Sequence, residues 1–373
     1  MKILYFIYGL NIGGAETYIY NTISRLNNSK YHIDFVLQNK KNDNHNLINL
    51  CKKNNSKLYY VSPFTKWFFP QLFQLNKILK NNEYQIIHIH MNSMLNIIPI
   101  IMGRLNGLKI IIHSHSTQNN SGRIVGKAIH LFNRKMILNF IKTVNIACSE
   151  KAGIWMFDKR PFILIDNAVQ IDQFIYSKDA KIKLKEKNMI YEEKVIGHIG
   201  RYVDVKNHFF IIKVFNEYIK IHPNTKLVLI GEGELKEQVN EYISYLGIEK
   251  NIIELNNQSN INEYYSLFDC FLFPSKFEGF PFVLVEAQIA GLPIIASTNV
   301  TKSVDLFGKI EFVSLENDIS DWVSKIDKCL NQNINRNENN KELMESKYNI
   351  DNSVKKIEKI YMGEDYEDLY YHM

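Results

Sequence analysis

Two glutamates and a proline lie in a segment that could bind an anionic ligand. Glu278 and Glu286 are separated by the seven residues Gly-Phe-Pro-Phe-Val-Leu-Val. Pro281 suits the first position of a helix, because its φ angle is already helical and it has no N–H that needs an acceptor there. The N–H groups of Phe282 and Val283 would then point out of the helix N-terminus, where the helix dipole also favours an anion such as a phosphate.

The two carboxylates would flank a phosphate bound at this helix start. Glu278 lies in the loop before the predicted helix, and Glu286 lies between one and two turns inside it. Each carboxylate can accept hydrogen bonds from sugar hydroxyls. The alternative, two solvated glutamates at a helix end, is disfavoured by the flanking Gly279, Pro281 and Gly291. The pattern predicts a site for a diphosphate that is attached to a sugar.

A pair of basic residues follows another strand-like run. Arg201 and Lys206 come after the apolar run Lys194 to Ile199, with Gly200 directly before them. Arginine presents a fork of donors to phosphate oxygens, and lysine supplies a mobile point charge. Together they can stabilise the negative charge of a departing phosphate group. Alone they would be surface cations, but Gly200 and the downstream glutamate pair favour leaving-group stabilisation.

Gly13 and Gly14 follow the first strand-like run, Ile3 to Leu10. A glycine lets the backbone approach a phosphate or a sugar without a Cβ in the way. A glycine pair is often only a turn, but here a helical pattern begins near Ala15. We therefore expect the pair to line a binding site, whereas Glu16 complements the helix dipole.

Two H-x-H pairs suggest a different chemistry. Side chains alternate along a strand, so His88 and His90 share one face, as do His113 and His115. Four such imidazoles could form the metal site of a hydrolase. No Asp or Glu adjoins either pair, and a metal centre would leave the phosphate-binding features unexplained. A metal-dependent hydrolase is therefore an alternative hypothesis, and a set of buried, hydrogen-bonded imidazoles is another.

The elements that must position these residues repeat a β-α-β rhythm twice, which is typical of a parallel sheet. We predict an α/β fold with two parallel-sheet domains. The predicted strands begin near residues 3, 32, 57, 86, 110 and 144 in the first domain and near residues 194, 227, 252, 270, 294 and 312 in the second. The predicted divisions are an N-terminal domain at 1–176, a charged linker at 177–193, a C-terminal domain at 194–347 and a helical tail at 348–373.

The composition is that of a globular protein. Of the 373 residues, 46% are hydrophobic and 23% are charged, which suits two domains with sizeable cores. The four cysteines are widely spaced, which indicates a reducing compartment. The apolar N-terminal run is short and leads into the glycine loop, so we interpret it as a strand rather than a signal peptide. No apolar run approaches the roughly 18 residues of a membrane span, so we expect a soluble or peripheral protein.

Positive charge is concentrated in the first half of the chain. Residues 1–180 carry 22 Lys and Arg against 9 Asp and Glu, whereas the net charge of the whole chain is +6. Basic residues alternate with aromatic and aliphatic ones in segments 64–80 and 123–142. Such segments can lie on an anionic membrane surface, and a solvated helix face over a core is the alternative. No nucleic-acid-binding module accompanies the charge, so nucleic acid is not an expected partner.

Four segments, in order along the chain, resemble those of the large retaining glycosyltransferase family 4. Residues 278–286 resemble its E-x7-E element. Residues 9–16 resemble its N-terminal glycine loop, residues 200–207 its G-R-x4-K-[GN] donor loop, and residues 226–233 its strand and turn beside the nucleotide. The matches extend across nearly the whole chain. One departure lies at residues 299–304, where many relatives have a glycine pair and this chain has none.

The resemblance implies the GT-B fold, in which two Rossmann-like domains face a central cleft and the C-terminal tail returns to the first domain. It implies retaining transfer of a hexosyl or N-acetylhexosaminyl group from a nucleoside diphosphate sugar, with UDP as the first choice. The catalytic residues that it indicates are Arg201, Lys206, Glu278 and His115, with His113 as the alternative to His115. The donor-binding residues that it indicates are Gly13, Gly14, Gly279, Phe280, Phe282, Val283 and Glu286. No metal or other cofactor is expected, because the two cations would stabilise the leaving diphosphate.

The resemblance also implies a cellular setting. It favours exopolysaccharide, capsule or lipopolysaccharide biosynthesis with a polyprenyl-diphosphate-linked glycan as acceptor. We expect a cytoplasmic protein and, from the basic first half, a peripheral position on the inner face of the membrane. A noncatalytic sugar-nucleotide-binding assembly partner is a third hypothesis, against which the intact set of Arg201, Lys206, Glu278 and Glu286 argues.

Overall fold

The computed structural model describes residues 1–11, 13–40, 44–64, 68–116, 124–258, 260–332, 334–338 and 340–371. The strands are β1 (Lys2–Ile7), β2 (His32–Leu37), β3 (Leu58–Tyr60), β4 (Ile86–Met91), β5 (Lys109–Ser114), β6 (Val144–Ala147), β7 (Phe162–Leu164), β8 (Lys194–Ile199), β9 (Thr225–Ile230), β10 (Ile252–Leu255), β11 (Cys270–Phe273), β12 (Ile294–Ser297), β13 (Ile310–Val313) and β14 (Tyr370–Tyr371). The helices are α1 (Gly14–Arg25), α2 (His45–Lys53), α3 (Phe68–Lys80), α4 (Ile98–Leu105), α5 (Ile124–Phe140), α6 (Glu150–Phe157), α7 (Ile171–Phe174), α8 (Lys178–Lys187), α9 (His208–Ile221), α10 (Lys236–Leu246), α11 (Ile261–Leu267), α12 (Phe282–Ile289), α13 (Ile319–Leu330), α14 (Asn340–Glu345) and α15 (Ile350–Met362).

The chain divides into two units, each built on its own sheet. Unit 1 comprises Met1–Ala168 and Ile350–Met373, and unit 2 comprises Val169–Asn349. The sheet of unit 1 has the strand order β14-β7-β6-β5-β4-β1-β2-β3. Its strands are parallel except for β14, which pairs antiparallel with β7. The sheet of unit 2 has the order β10-β9-β8-β11-β12-β13 and is parallel throughout.

Each sheet has a point where the strand order reverses. In unit 1, β1 lies between β2 and β4, and in unit 2, β8 lies between β9 and β11. Open α/β sheets bind ligands outside the carboxyl ends of the strands at such a switch point. The loops after β1, β4, β8 and β11 are therefore the places where functional side chains are expected.

Both faces of each sheet are buried, which explains why the strands are nearly continuous apolar runs. In unit 2, Phe271 and Phe273 of β11 enter one core, while Cys270 and Leu272 enter the core on the other face. In unit 1, Tyr5 of β1 belongs to the core that also contains residues of α1 and α15. This alternation fixes which side chains of a strand can meet which layer of helices.

The N-terminal apolar run is β1, paired with β2 and β4 in the middle of the first sheet. The interpretation of this run as a strand therefore agrees with the structure. None of the helices in the described ranges is long and apolar enough to cross a membrane. The cysteines, Cys51, Cys148, Cys270 and Cys329, are all free thiols.

The division between units differs from the predicted one. The boundary falls between Ala168 and Val169, and residues 177–193 belong to unit 2 rather than forming a separate linker. Within this segment Leu184 and Ile190 are buried in the core of unit 2, and Lys181 pairs with Asp269. The many charged residues of α8 lie on its outer face. They outnumber the few apolar residues that pack into the core, so the composition of the segment suggested a linker.

The C-terminal helix α15 is part of unit 1. Val354, Ile357 and Ile360 are buried in the core that contains β1 and α1, and the Tyr361 hydroxyl lies 2.7 Å from that of Tyr5. The segment that follows α15 adds β14 to the edge of the same sheet. Distant parts of the chain therefore complete one domain.

Candidate functional site

The carboxyl ends of β8 and β11 lie side by side in unit 2, because these strands pair in parallel. Gly200 and Arg201 follow β8, and the segment that ends in Glu278 follows β11. The Lys276 N–H donates to the Val205 carbonyl at 2.9 Å, and the Asn207 side chain donates to the Pro274 carbonyl at 3.1 Å. Hydrogen bonds therefore join the two loops at the switch point of the sheet.

The loop after β8 packs against the turn after β9, and two glycines make this approach feasible. Gly231 and Gly233 have φ angles of +155° and +159°. A Cβ at Gly231 would lie 2.1 Å from the Gly200 carbonyl oxygen, and one at Gly233 would lie 2.4 Å from that of Tyr202. Only glycine fits either position. The turn after β9 therefore holds in place the loop after β8, which carries Arg201 and Lys206.

Lys206 lies at the end of the short 3₁₀ turn Asp204–Lys206. Its Nζ lies 2.6 Å from Glu278 Oε1 and 4.8 Å from the centre of the Phe273 ring. The side chains of Lys206 and Glu278 are each only 17% exposed. Two residues predicted for the same site are therefore in direct contact, and the ion pair holds the lysine beside the strand ends.

Arg201 differs from Lys206 in being exposed. In the described part of the chain, no carboxylate lies within ion-pairing distance of its guanidinium. An exposed guanidinium at the end of β8 is free to meet an anionic ligand with its fork of donors. Arg201 and Lys206 thus lie in one loop, but Lys206 is held by an ion pair whereas Arg201 is exposed.

Helix α12 begins at Phe282, one residue later than predicted. Pro281 is the N-cap residue, with φ −81° and ψ 99°, rather than the first helical residue. In the preceding loop Glu278 forms an isolated parallel bridge with Val300, and the backbone is still extended at Pro281. The first turn of a helix leaves its N–H groups without intrahelical acceptors. Those of Phe282 and Val283 therefore lack acceptors within α12, and their binding of an anion stays a prediction.

Gly279 and Phe280 lie between Glu278 and this helix. Gly279 is exposed, and a Cβ there would meet no atom within 4 Å. The Phe280 ring packs edge-on against Phe282 at 5.2 Å between centroids and stacks on Tyr348 at 6.0 Å. The aromatic side chain thus anchors the loop, and the backbone of Gly279 is left accessible.

Glu286 is half-buried on α12 and accepts a hydrogen bond from the Tyr265 hydroxyl at Oε2. Burial raises the pKa of Glu286 to about 7, and the hydrogen bond from Tyr265 partly offsets this rise. The carboxyl group therefore changes its charge near neutral pH. Among the described residues, no hydrogen bond or ion pair engages its other oxygen, Oε1.

In unit 1, Gly14 is the first residue of α1 and Gly13 is its N-cap, with an extended backbone. The Thr17 N–H and hydroxyl both donate to the Gly13 carbonyl at 2.9 Å. The Glu16 carboxylate folds back over this turn, since a Cβ on Gly13 would lie 2.7 Å from Glu16 Oε2. Burial raises the pKa of Glu16. The helix therefore starts where the glycine pair predicted, and its first turn carries a partly desolvated carboxyl group.

The two H-x-H pairs form a stack of four imidazoles on one face of the first sheet. His88 and His90 stack at 4.3 Å between ring centroids, as do His113 and His115. His90 Nδ1 lies 2.9 Å from His115 Nε2, and His88 Nε2 lies 3.3 Å from His113 Nδ1. His88 Nδ1 lies 2.7 Å from the Tyr361 hydroxyl. His113 is fully buried within β5, whereas His115 lies beyond the end of the strand and is half-buried.

This stack is suited to packing rather than to hydrolysis. Ring nitrogens of His88, His90 and His113 lie within 4.8 Å of one another, but among the described residues no carboxylate or thiolate joins them. Burial lowers the pKa of His88 to about 3 and those of His90 and His113 well below the usual value, so all three are neutral. The hydrolase hypothesis is therefore not supported.

Sequence reasoning missed Arg336, which lies in the Asn-rich segment 331–340. Its guanidinium is largely buried and donates to the carbonyls of Tyr265, Ser266, Phe268 and Ala290, at distances between 2.7 and 3.2 Å. These carbonyls lie at the ends of α11 and α12, where helices leave acceptors unpaired. A single arginine in a polar, acid-poor stretch was the only signal available.

The fold and the site define a protein with two Rossmann-like units, whose second unit presents two cations and a helix N-terminus at its switch point. Such an arrangement binds a diphosphate. Residues 12–162 match the family model of glycosyltransferase family 4, and residues 180–349 match that of glycosyl transferases group 1. The Bacillus subtilis protein EpsF, named as a glycosyltransferase, is 30% identical over 87% of this chain and 86% of its own. This chain belongs to glycosyltransferase family 4 and is a glycosyltransferase of the GT-B fold.

Two further comparisons agree with this assignment. A galactosyltransferase of Escherichia coli, named for UDP-Gal and a GlcNAc-diphosphoundecaprenol, is 26% identical over 84% of this chain and 88% of its own. The crystal structure of Anabaena HepE in complex with UDP superposes with a TM-score of 0.77 at 16% identity, covering 97% of this chain and 100% of that one. The second comparison concerns the fold alone.

Proposed function

We propose that this glycosyltransferase moves a hexosyl or N-acetylhexosaminyl group from a UDP-sugar to a lipid-linked glycan during polysaccharide biosynthesis, with retention at the anomeric carbon. The observation that carries the proposal is the meeting of Arg201, Lys206 and the N-terminus of α12 at the adjacent ends of β8 and β11. Two cations and free N–H groups at one sheet edge suit a diphosphate.

In this proposal the diphosphate binds at the N–H groups of Phe282 and Val283. Arg201 approaches it from the exposed side of the loop, and Lys206 leaves Glu278 to contact a phosphate oxygen. The ion pair keeps the ammonium close to the site beforehand, so little reorganisation is needed when the donor binds. Positive charge then stabilises the diphosphate as it leaves, and no metal ion is required for that purpose.

The rest of the donor is divided between the two glutamates. Glu286 accepts hydrogen bonds from the ribose hydroxyls, since a carboxylate can take two donors at once. Glu278, released by Lys206, accepts a hydrogen bond from the transferred sugar, beside the backbone of Gly279 and Phe280. Glu278 and Glu286 bind the donor and do not attack it. They therefore do not act as the acid and nucleophile pair of a glycosidase.

Residues of unit 1 complete the proposed set. Gly13 and Gly14 offer a backbone surface without side chains to the donor, and His115 offers a ring nitrogen to a sugar hydroxyl. His115 is the better candidate than His113, because His113 is fully buried inside β5. A neutral imidazole suits this role, and burial lowers the pKa of His115 to about 3.

The choice of UDP and of a lipid-linked acceptor is supported by what related proteins are named for. The Escherichia coli relative is named for UDP-Gal and a diphosphoundecaprenol-linked sugar. A Campylobacter jejuni relative, 31% identical over 32% of this chain, is named for a diphospho-undecaprenol acceptor. Capsular polysaccharide biosynthesis is named for the Staphylococcus aureus relative CapH, 23% identical over 97% of this chain. We propose the same chemical class of acceptor here, on the cytoplasmic side of the membrane.

An anionic membrane surface is the partner that we propose for α5. Val125, Ile129, Phe132, Met136 and Phe140 follow one another at intervals of three or four residues, and each is exposed. Phe132 is 66% exposed and Phe140 is 75% exposed. A contiguous exposed apolar stripe of this kind marks an interaction surface.

The charges around this stripe favour lipid headgroups as the partner. Between Glu83 and Glu150 the sequence has no Asp or Glu, while Lys127 and Lys135 of α5 are exposed. Basic side chains beside an apolar stripe are typical of helices that lie in a membrane interface. Residues 65–67 and 123 of the two basic segments lie outside the described residues.

The proposed reaction is tested by a donor screen with the purified full-length protein. UDP- and GDP-sugars are incubated with a polyprenyl-diphosphate-linked sugar, and nucleotide release is measured with and without EDTA. Release that needs the acceptor and resists EDTA supports the proposal. EDTA-sensitive hydrolysis without acceptor would instead indicate a metal-dependent reaction, and tight UDP binding without release would favour a noncatalytic binder.

A further inference from the structure

Glu286 is held by a tyrosine that sequence reasoning did not single out. Tyr265 lies on α11, its side chain is fully buried, and its hydroxyl donates to Glu286 Oε2. One of the two carboxylate oxygens is therefore engaged inside the protein. The orientation of the other oxygen follows from that hydrogen bond.

The Tyr265 ring is enclosed by the core of unit 2. Its ring packs edge-on against Phe174 at 5.7 Å and lies 5.8 Å from the Phe271 ring, between centroids. Its backbone carbonyl accepts a hydrogen bond from Arg336 at 2.7 Å. The hydroxyl is thus a rigid donor, whose position is set by the aromatic core and by the arginine at the helix ends.

We propose that Tyr265 is a positioning residue for the nucleotide, because its hydroxyl keeps Glu286 ionised and oriented to accept hydrogen bonds from ribose. This inference rests on the proposed role of Glu286 in donor binding. Tyr265 itself does not touch the substrate. It acts through the Glu286 carboxylate. Each carboxylate oxygen that accepts a hydrogen bond from a ribose hydroxyl must have a free lone pair.

The charges around Glu286 are consistent with this role. The elements packed against α12 carry Asp172 on α7, Glu263 on α11 and Lys302 on the turn after β12, while Arg336 lies at the helix ends. Within the described residues, neither of the two basic groups, Lys302 and Arg336, forms an ion pair with Glu286. Burial raises the pKa of Glu286 to about 7, and Tyr265 is the group that opposes this rise. Loss of its hydroxyl therefore shifts the titration of Glu286 to higher pH.

The test compares Tyr265→Phe with Tyr264→Phe. Tyr264 is the neighbouring residue on α11 and is equally buried, but its hydroxyl faces Gln258. UDP binding to the full-length protein is measured by calorimetry between about pH 6 and pH 9. The dissociation constant of each variant is divided by that of wild type at the same pH, so that the protonation of UDP itself cancels. If the pKa of Glu286 rises by about one unit, the loss of UDP affinity caused by Tyr265→Phe is about five-fold larger at pH 7 than at pH 9, where only the lost orientation of the carboxylate remains. Tyr264→Phe binds UDP as wild type does.

Two results would overturn the role of Tyr265. One is an affinity of Tyr265→Phe equal to that of wild type at every pH, and the other is a loss that does not change with pH. Glu286→Gln separates these results from failure of the proposed function. If Glu286→Gln weakens UDP binding while Tyr265→Phe does not, only the tyrosine role fails. If Glu286→Gln binds UDP as wild type does, Glu286 is not a nucleotide ligand. The proposed roles of Glu286 in donor binding and of Tyr265 in positioning it are then both wrong.

Discussion

Lys206 Nζ lies 2.6 Å from Glu278 Oε1, so an ion pair joins the loop after β8 to the loop after β11. Both side chains are mostly buried, and the ammonium also faces the Phe273 ring. The lysine is therefore oriented before any donor arrives. In the proposed reaction the ammonium exchanges Glu278 for a phosphate oxygen when the donor binds, so its charge is in place before negative charge develops on the leaving diphosphate.

Replacement of Lys206 by alanine should lower kcat by about 10²–10³-fold, since removal of one preorganised group that stabilises developing charge has effects of that size. Lys213→Ala is the matched control, because Lys213 is an exposed lysine on the adjacent α9. Sugar-nucleotide turnover is measured for both variants. Equal turnover of Lys206→Ala and wild type would remove the lysine from the mechanism.

Gly231→Ala should destabilise unit 2 and weaken donor binding, because the new Cβ would meet the Gly200 carbonyl oxygen at 2.1 Å. Gly247→Ala is the control, since Gly247 also has a positive φ but has open space around it. We expect the control to lose about 1 kcal/mol of unfolding free energy and Gly231→Ala to lose more than about 3 kcal/mol. Urea denaturation measures both losses. Equal losses would mean that the loop yields to the clash.

The stack of histidines should make the protein sensitive to acid. Burial lowers the pKa values of His88 and His115 to about 3, below the ordinary value of 6.5, so the unfolded state binds more protons between these limits. Their contribution to stability is fully present above about pH 6.5 and is lost as the pH falls towards 3. Each histidine adds up to about 1.4 kcal/mol per pH unit to the slope.

Denaturant unfolding of wild type and His88→Gln at several pH values checks this expectation. The variant should be less stable than wild type at pH 7.5, but its stability should fall less steeply with acid. The comparison removes the titration of carboxylates common to both proteins. Parallel curves would show that the folded protein can protonate the stack without cost.

The exposed stripe of α5 should bind anionic vesicles. The double variant Ile129→Ser with Phe132→Ser should lose several kcal/mol of binding free energy, since burial of each large apolar side chain contributes about 1.5–3 kcal/mol. Tyr245→Ser is the control, because Tyr245 is 84% exposed in unit 2. Co-sedimentation with phosphatidylglycerol vesicles measures the difference. Equal binding of the double variant and wild type would exclude the stripe as the contact.

Arg336→Lys should destabilise unit 2 although it keeps the positive charge. The guanidinium donates to four carbonyls at the ends of α11 and α12, whereas a lysine has no planar fork that reaches all of them. Buried acceptors left without donors cost about 1–3 kcal/mol each. The midpoint of urea unfolding should therefore fall. A midpoint equal to that of wild type would show that water replaces the arginine.

The sequence by itself determined the local features of this protein. The alternation of apolar runs with helical patterns, the glycine pair before α1 and the loop Gly200 to Asn207 were all visible, because strand ends and helix starts depend on neighbouring residues. The class of enzyme followed from the resemblance of these motifs, in their order, to those of glycosyltransferase family 4. The composition of the charged helix α8 suggested a linker, whereas the structure assigns residues 177–193 to unit 2.

Only the tertiary structure decided which of these residues meet. The pairs Lys206 with Glu278, Tyr265 with Glu286 and His88 with Tyr361 bring together residues far apart in the chain. Their contacts depend on the order of strands in each sheet and on the return of α15 to unit 1, neither of which a local pattern encodes. Burial of Glu286 and of the histidines, and hence their charge at neutral pH, follows from that packing and not from residue type.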